Sequence, residues 1–219
     1  NLYFTHPAPD ARTERCKLAA DLFRHVHRVD DLALARQIRA DRVDILVDLN
    51  GLSAHNRAGV LALRPAPIQL SYCGYCNTTG LDAIDARVVD RITDPPGPEA
   101  DALSVERLLR LDRCFLCYRP PHDAPTPHLE CESDSPDSIC FGSFNAPAKI
   151  STLTLDLWCA VLRTETRARF LIKGVGLEHD AARAHLTARF AANGVDASRV
   201  TLLGPTASAR EHLALYNRV

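Results

Sequence analysis

Leu61-Ala62-Leu63-Arg64-Pro65-Ala66-Pro67-Ile68-Gln69-Leu70-Ser71-Tyr72-Cys73-Gly74-Tyr75-Cys76-Asn77-Thr78-Thr79-Gly80 joins a stiff proline corner to a short apolar run and then to a small, polar, glycine-bounded loop. Each proline locks its own φ and pushes the residue before it out of the helical region. A helix must therefore end at or before Arg64, and an extended strand can begin beyond the corner. The stretch reads as helix, corner, strand, loop. A strand running into a glycine-containing loop is where open α/β sheets place ligands, because the crevice lies outside the carboxyl ends of the strands.

Upstream, Leu32, Leu34, Ala35 and Ile38 recur at helical spacing in Asp31–Ala40, with Arg36 and Arg39 outside. That helix feeds Val43-Asp44-Ile45-Leu46-Val47-Asp48-Leu49, a β-branched run expected to be buried on both faces of a parallel sheet. Asp44 and Asp48 are spaced for one face of that strand and read as structural. Asn50–Ser53 is a turn, and residues 56–63 form the next helix, closing at the prolines. Nearer the start, Asn1-Leu2-Tyr3-Phe4 reads either as a native apolar strand or as the remnant of a cleavage tag. Arg12–Asp21 has helical composition. His25 and His27 alternate as on a strand edge and, with no third ligand nearby in sequence, are expected to be solvated or structural.

Downstream, Asp90–Pro98 is a turn-rich loop, and Pro120–Pro136 carries five prolines among polar residues and marks a linker. The expected organisation is residues 1–119, a linker at 120–136, and residues 137–219. In the last part Ser138–Phe141 reads as a strand, Ser151–Leu162 as a helix, Ala168–Lys173 as a strand, Glu178–Ala192 as a helix stopped by Asn193-Gly194, Val200–Leu203 as a strand and Arg210–Tyr216 as a helix. Strands alternating with helices on both sides of a linker imply two Rossmann-like halves.

With 26 basic and 27 acidic residues interspersed, the net charge of -1 makes no electrostatic case for nucleic acid or an anionic membrane. No apolar run approaches the roughly 18 residues that span a bilayer. The reading is a soluble, cytoplasmic protein. Among the eight cysteines are two C-x-x-C pairs, Cys73/Cys76 and Cys114/Cys117. Their separation is about twice the usual spacing of zinc ribbons, and Cys114-Phe115-Leu116-Cys117 reads as part of a buried strand, so buried or loop thiols are favoured over a zinc or redox site. A zinc or thiol-redox protein remains an alternative.

The 61–80 stretch resembles the catalytic domain of the O-GlcNAc transferase (SPINDLY-type) family, with its A-L-R-P-A-P-(I/V)-Q helix end and its W-x-G-Y-P-G-T-(S/T)-G loop. The chain keeps Arg64 to Gln69, Gly74, Tyr75, Thr78, Thr79 and Gly80, and departs from the pattern at Tyr72, Cys76 and Asn77. The D-(I/L)-L-V-D-L-x-G run at Asp44–Gly51 and the placing of Arg57 extend the likeness upstream. Ser104–Leu111 resembles the family's Y-S-E-(K/R)-L-x-x-L segment, whose acid falls on Glu106; by itself such a Glu is read as a helix-capping or ion-paired carboxylate.

The resemblance implies a GT-B fold, both halves incomplete in this chain, and an inverting transfer of a sugar, GlcNAc by that resemblance, from UDP to Ser or Thr hydroxyls of proteins, without a metal. Phe144, Asn145 and Lys149 match the family's F-N-x-x-x-K motif, whose Lys contacts the donor diphosphate. Lys149 precedes a helix N-terminus, where a cation is unfavourable unless an anion joins it. Leu203–Leu213 resembles the strand, loop and E-H helix start in which the His, here His212, and the backbone of Ala207 hold the uridine. Gly74, Tyr75, Cys76, Thr78 and Thr79 would line the sugar pocket. By the same resemblance a catalytic base lies upstream of Asn1, the rest of the UDP site lies beyond Val219, tetratricopeptide repeats precede the region, and this chain alone has little turnover. No repeat of about 34 residues is visible here. A nucleotide-binding module without catalysis is the remaining alternative.

Overall fold

The computed structural model describes residues 1–128 and 139–219. The chain divides into two compact units, Asn1–Tyr118 and Arg119–Val219. Both are α/β, and every strand pairing in them is parallel.

In the first unit β1 (Leu2–Phe4), α1 (Ala11–Ala19), β2 (Phe23–His25), α2 (Asp31–Ala40), β3 (Ile45–Asp48), α3 (Ala58–Ala62), β4 (Ile68–Tyr72), β5 (Ala86–Asp90), α4 (Pro98–Ala102) and β6 (Arg107–Leu111) follow in order. Strands β1 and β2 form a two-stranded sheet, and β3-β4-β5-β6 a four-stranded one. Helix α2 starts where Asp30 accepts a hydrogen bond from the Ala33 N–H. Its Leu34, Ala35 and Ile38 are buried with Val26 and Val60 against Tyr3, Val29, Val43 and Leu46, while Leu32 stays exposed.

The strand expected to be buried on both faces is not. Ile45, Val47 and Leu49 are 54%, 43% and 59% exposed. β3 is an edge strand, and a cavity of about 830 Å³ lies against it, lined also by β1. Within the described residues the sheet lacks the neighbour that a two-sided apolar strand anticipates.

The proline corner ends α3 at Ala62 and sets Arg64 outside the right-handed helical region, left-handed at φ 46°. That conformation is uncommon for a side chain larger than glycine. It is held because the Arg64 guanidinium donates to Ala83 O at 2.9 Å, to Pro67 O at 3.2 Å and to Asp85 Oδ1 at 2.6 Å. Beyond the corner, Gln69 and Ser71 of β4 face inward and Ile68 outward. Gln69 is buried because its amide Nε2 donates to Leu61 O and Ala83 O and its backbone N–H to Asp85.

The second unit contains β7 (Cys140–Ser143), a 3-10 turn (Pro147–Lys149), α5 (Thr152–Thr164), β8 (Arg169–Lys173), α6 (Asp180–Ala192), β9 (Val200–Leu203) and α7 (Ala209–Ala214), the last running into a 3-10 turn at Leu215–Arg218. The sheet order is β7-β8-β9. Ser151 caps α5 by accepting from Thr154 N, and Gly194, at φ 76°, follows the end of α6. The core gathers Leu155, Cys159 and Leu162 of α5, Phe170 and Ile172 of β8, and Leu186 and Phe190 of α6. Arg199 closes the far end of α5, donating to Leu162 O, Glu165 O and Ala168 O.

Of the proline-rich segment, residues 120–128 belong to this unit. Asp123 O accepts from Arg210, and Asn217 bonds His128 N and Thr126 O. The remainder of the expected linker and the expected strand start at Ser138 lie outside the described residues.

Candidate functional site

In the first unit the loop after β4 is shaped by two close backbone approaches. A Cβ on Gly74 would stand 1.6 Å from Leu49 O, and one on Gly51, at φ 54°, 2.1 Å from the Tyr75 Cβ. Only glycine allows the loops following β3 and β4 to lie against each other in this way. Asp48 secures the first of them by accepting from Asn50 N and Gly51 N, and burial raises its pKa.

Glu106 holds the rest of the loop. Its carboxylate, 3% exposed, accepts from Thr78 Oγ1 at 2.7 Å, Thr79 N at 2.7 Å and Ser104 Oγ at 3.0 Å, and from Thr79 Oγ1. Burial pushes the carboxyl up, but the hydrogen bonds from Thr79 and Thr78 outweigh it and hold the pKa at about 2. Among the described residues Glu106 is neither a helix cap nor half of an ion pair. It immediately precedes β6 and fastens a loop that lies 27 residues earlier. The Thr78 and Thr79 hydroxyls are spent on it, and the loop's exposed residues are Cys73, Gly74, Cys76, Asn77 and Gly80, with Tyr75 half-buried. Sequence reasoning underweighted Glu106, whose only signal was the Ser104-x-Glu106 pattern.

The thiols also differ from expectation. β6 ends at Leu111, so Cys114 and Cys117 are not in a buried strand; they are exposed, as are Cys73 and Cys76. The chain turns there because Phe115 N donates to Asp90 and Phe115 O accepts from the Tyr72 hydroxyl. The histidines are less isolated than their spacing indicates: His6 and His55 join His25 and His27, with ring centroids 4.9 Å apart for His6 and His55 and 6.4 Å for His27 and His55. Even so, among the described residues no group of three His, Cys, Asp or Glu is arranged to hold a metal ion.

In the second unit the loops after β7, β8 and β9 come together at the carboxyl edge of the sheet. A Cβ on Gly174 would be 2.4 Å from Pro147 Cδ, and one on Gly204 3.0 Å from Glu178. The first of these loops carries Asn145 and Lys149, both exposed. His212 stands on α7, its ring edge-on to Phe144 at 5.7 Å and to Tyr216 at 5.6 Å. Its Nδ1 lies 3.2 Å from Lys173 Nζ, and burial, then the Lys173 charge, depress its pKa below 6.5. The Ala207 N–H donates to Glu211 at 3.1 Å. Sequence reasoning missed Lys173, whose signal was a lone cation closing the apolar strand Phe170–Ile172.

Residues 7–132 match the family model described as Glycosyl transferase family 41. The chain belongs to that family. A family 41 relative, the Arabidopsis thaliana protein named probable UDP-N-acetylglucosamine–peptide N-acetylglucosaminyltransferase SPINDLY, is 35% identical over 95% of this chain and 23% of its own length. The similarly named protein of Oryza sativa subsp. japonica is 37% identical over 95% of this chain and 22% of its own. Among solved structures, a lysine-to-methionine mutant of the Thermobaculum terrenum O-GlcNAc transferase superposes with a TM-score of 0.89 at 35% identity, covering 99% of this chain and 40% of that one. The chain therefore spans under a quarter of the length of these curated family 41 relatives.

Proposed function

We propose that the chain is part of an inverting glycosyltransferase that moves GlcNAc from UDP to Ser or Thr hydroxyls of proteins. The observation that carries this reading is the second unit's carboxyl edge, where an exposed lysine on the loop after β7 and an aromatic-packed histidine on α7 stand beside one parallel sheet. The names of the family 41 relatives agree with it.

In such a transfer the acceptor hydroxyl attacks the anomeric carbon from the face opposite the departing UDP, and negative charge grows on the diphosphate as that bond breaks. Lys149 supplies a fixed cation for that charge. Asn145 shares its loop and offers an amide to the donor. His212 and the backbone at Ala207 hold the nucleoside, and Gly74, Tyr75, Cys76, Thr78 and Thr79 shape the sugar site. Because the Thr hydroxyls are bound to Glu106, they act there as a wall, and the sugar-contacting groups are the backbone and the side chains of Tyr75 and Cys76. The reading requires no metal or other cofactor. It also places the whole protein in the cytoplasm, with tetratricopeptide repeats selecting the protein acceptor.

Calorimetric titration tests the donor assignment. UDP should bind the chain in the presence of EDTA, ADP and GDP more weakly, and Lys149→Ala should weaken UDP by at least about tenfold, the loss of one charge-assisted contact. Equal binding of the three nucleotides, or no effect of the substitution, overturns it.

A further inference from the structure

We propose that Lys173 is a positioning residue of the nucleotide site: it holds His212 as a neutral imidazole with its proton on Nε2, so that the ring offers a hydrogen-bond donor to a bound nucleoside diphosphate. This rests on the functional reading above.

Lys173 is the last residue of β8, the middle strand of its sheet, and follows the buried Phe170, Leu171 and Ile172. The central strand, which opens with Arg169, thus delivers the Lys173 charge to the carboxyl edge, between β7, whose loop carries Lys149, and β9, which leads to the helix that carries His212. Its ammonium is half-buried, and among the described residues its hydrogen-bond partner is His212 Nδ1, at 3.2 Å, with no carboxylate paired to it. A structural lysine in that setting would ordinarily take a carboxylate.

An ammonium has three N–H donors and no acceptor, so Nδ1 must present its lone pair. An imidazolium has no lone pair to give. The ring is therefore neutral, and its single proton sits on Nε2. The ring's orientation is set independently of Lys173, by edge contacts to Phe144 and Tyr216. Phe144 immediately precedes Asn145 on the loop that leads to Lys149, so the imidazole is aligned to the same loop as the proposed diphosphate cation. With Nδ1 engaged, Nε2–H is the ring's polar group without a partner among the described residues. A fixed donor of this kind discriminates for an acceptor oxygen, such as those of a nucleotide's ribose or phosphate.

The test combines nitrogen NMR of the His212 ring with UDP titration of the whole chain. The wild-type chain should show the Nε2–H tautomer. Lys173→Met should give a tautomer mixture and weaken UDP about tenfold, while Lys173→Gln, which keeps an N–H donor without the charge, should retain the tautomer and stay within about threefold. In a His212→Ala background Lys173→Met should cause no further loss, because Lys173 acts through the ring. Lys149→Ala should weaken UDP and leave the tautomer as it was.

An unchanged tautomer in Lys173→Met, or full additivity with His212→Ala, overturns the proposal while the Lys149 result leaves the donor site standing. Should Lys173→Met not fold, loss of the Nε2–H tautomer in Lys173→Gln overturns it equally. Absence of UDP binding to the wild-type chain overturns the functional reading and the proposal together.

Discussion

The loop after β4 and the loop after β7 occupy equivalent places, each at the carboxyl end of a parallel strand, yet they are built in opposite ways. In the first, polar groups are consumed internally: Thr78 and Thr79 bond Glu106, and Gly74 is pressed against Leu49 O. In the second, Asn145 and Lys149 are exposed, and at the end of the neighbouring β8 Lys173 is bound to His212. One loop is made for shape and the other for charge. Under the proposed function, a sugar ring, being uncharged, would be recognised by contour and a diphosphate by cations.

The largest effect that sharpens this comparison is Glu106→Ala. It strands three hydroxyls, of Thr78, Thr79 and Ser104, and the Thr79 N–H, and should cost about 3 kcal/mol in urea unfolding. Glu106→Gln, which keeps the shape, should cost less. A cost under about 1 kcal/mol would mean that the loop does not depend on its acid.

The arginines that collect carbonyls come next. Arg57 donates to Val26 O, His27 O and Val29 O and to Asp31, much as Arg199 serves the end of α5 in the other unit. Substituting either with Ala should cost about 2 kcal/mol. A tenfold difference between the two in local hydrogen-exchange protection would break the symmetry.

The two units should also respond differently to acid. The Glu106 carboxyl sits at about 2, below its ordinary 4.5, so the folded state binds fewer protons than the unfolded one. The stability it contributes is present above pH 4.5 and is lost as the pH falls towards 2. Asp41 behaves likewise, at about 2 against 3.8, chiefly through its hydrogen bond from Arg24. His212 is depressed below 6.5, so its contribution is present above pH 6.5 and falls away as the pH drops through its folded value. Hydrogen exchange followed from pH 7.5 downward, a range of about three pH units, should show the second unit's carboxyl edge loosening before the first unit's loop. The reverse order would contradict the assignment of a neutral His212.

The smallest expected change is in the stability of Lys149→Ala and Asn145→Ala. Both side chains are exposed, so melting should shift by no more than about 0.5 kcal/mol equivalent even where UDP binding is lost. A larger shift would make Lys149 structural.

What the amino-acid order determined by itself was whatever depends on near neighbours. Helical periodicity located α2, Ser151 and Gly194 marked helix ends, and two prolines stopped α3 before a strand. These are local effects of backbone geometry and capping. The F-N-x-x-x-K and R-P-A-P-I-Q runs were legible for the same reason, since each is contiguous. Tertiary structure alone decided the rest. Whether Ile45 and Val47 are covered depends on which strand lies beside β3. Whether Thr79 faces a ligand or Glu106 depends on a partner 27 residues away, and whether Lys173 meets a carboxylate or His212 on one 39 residues away. Hydrogen bonds act over about 3 Å. Only the folded chain brings such distant residues within that reach, and there the physical character of the candidate site is settled.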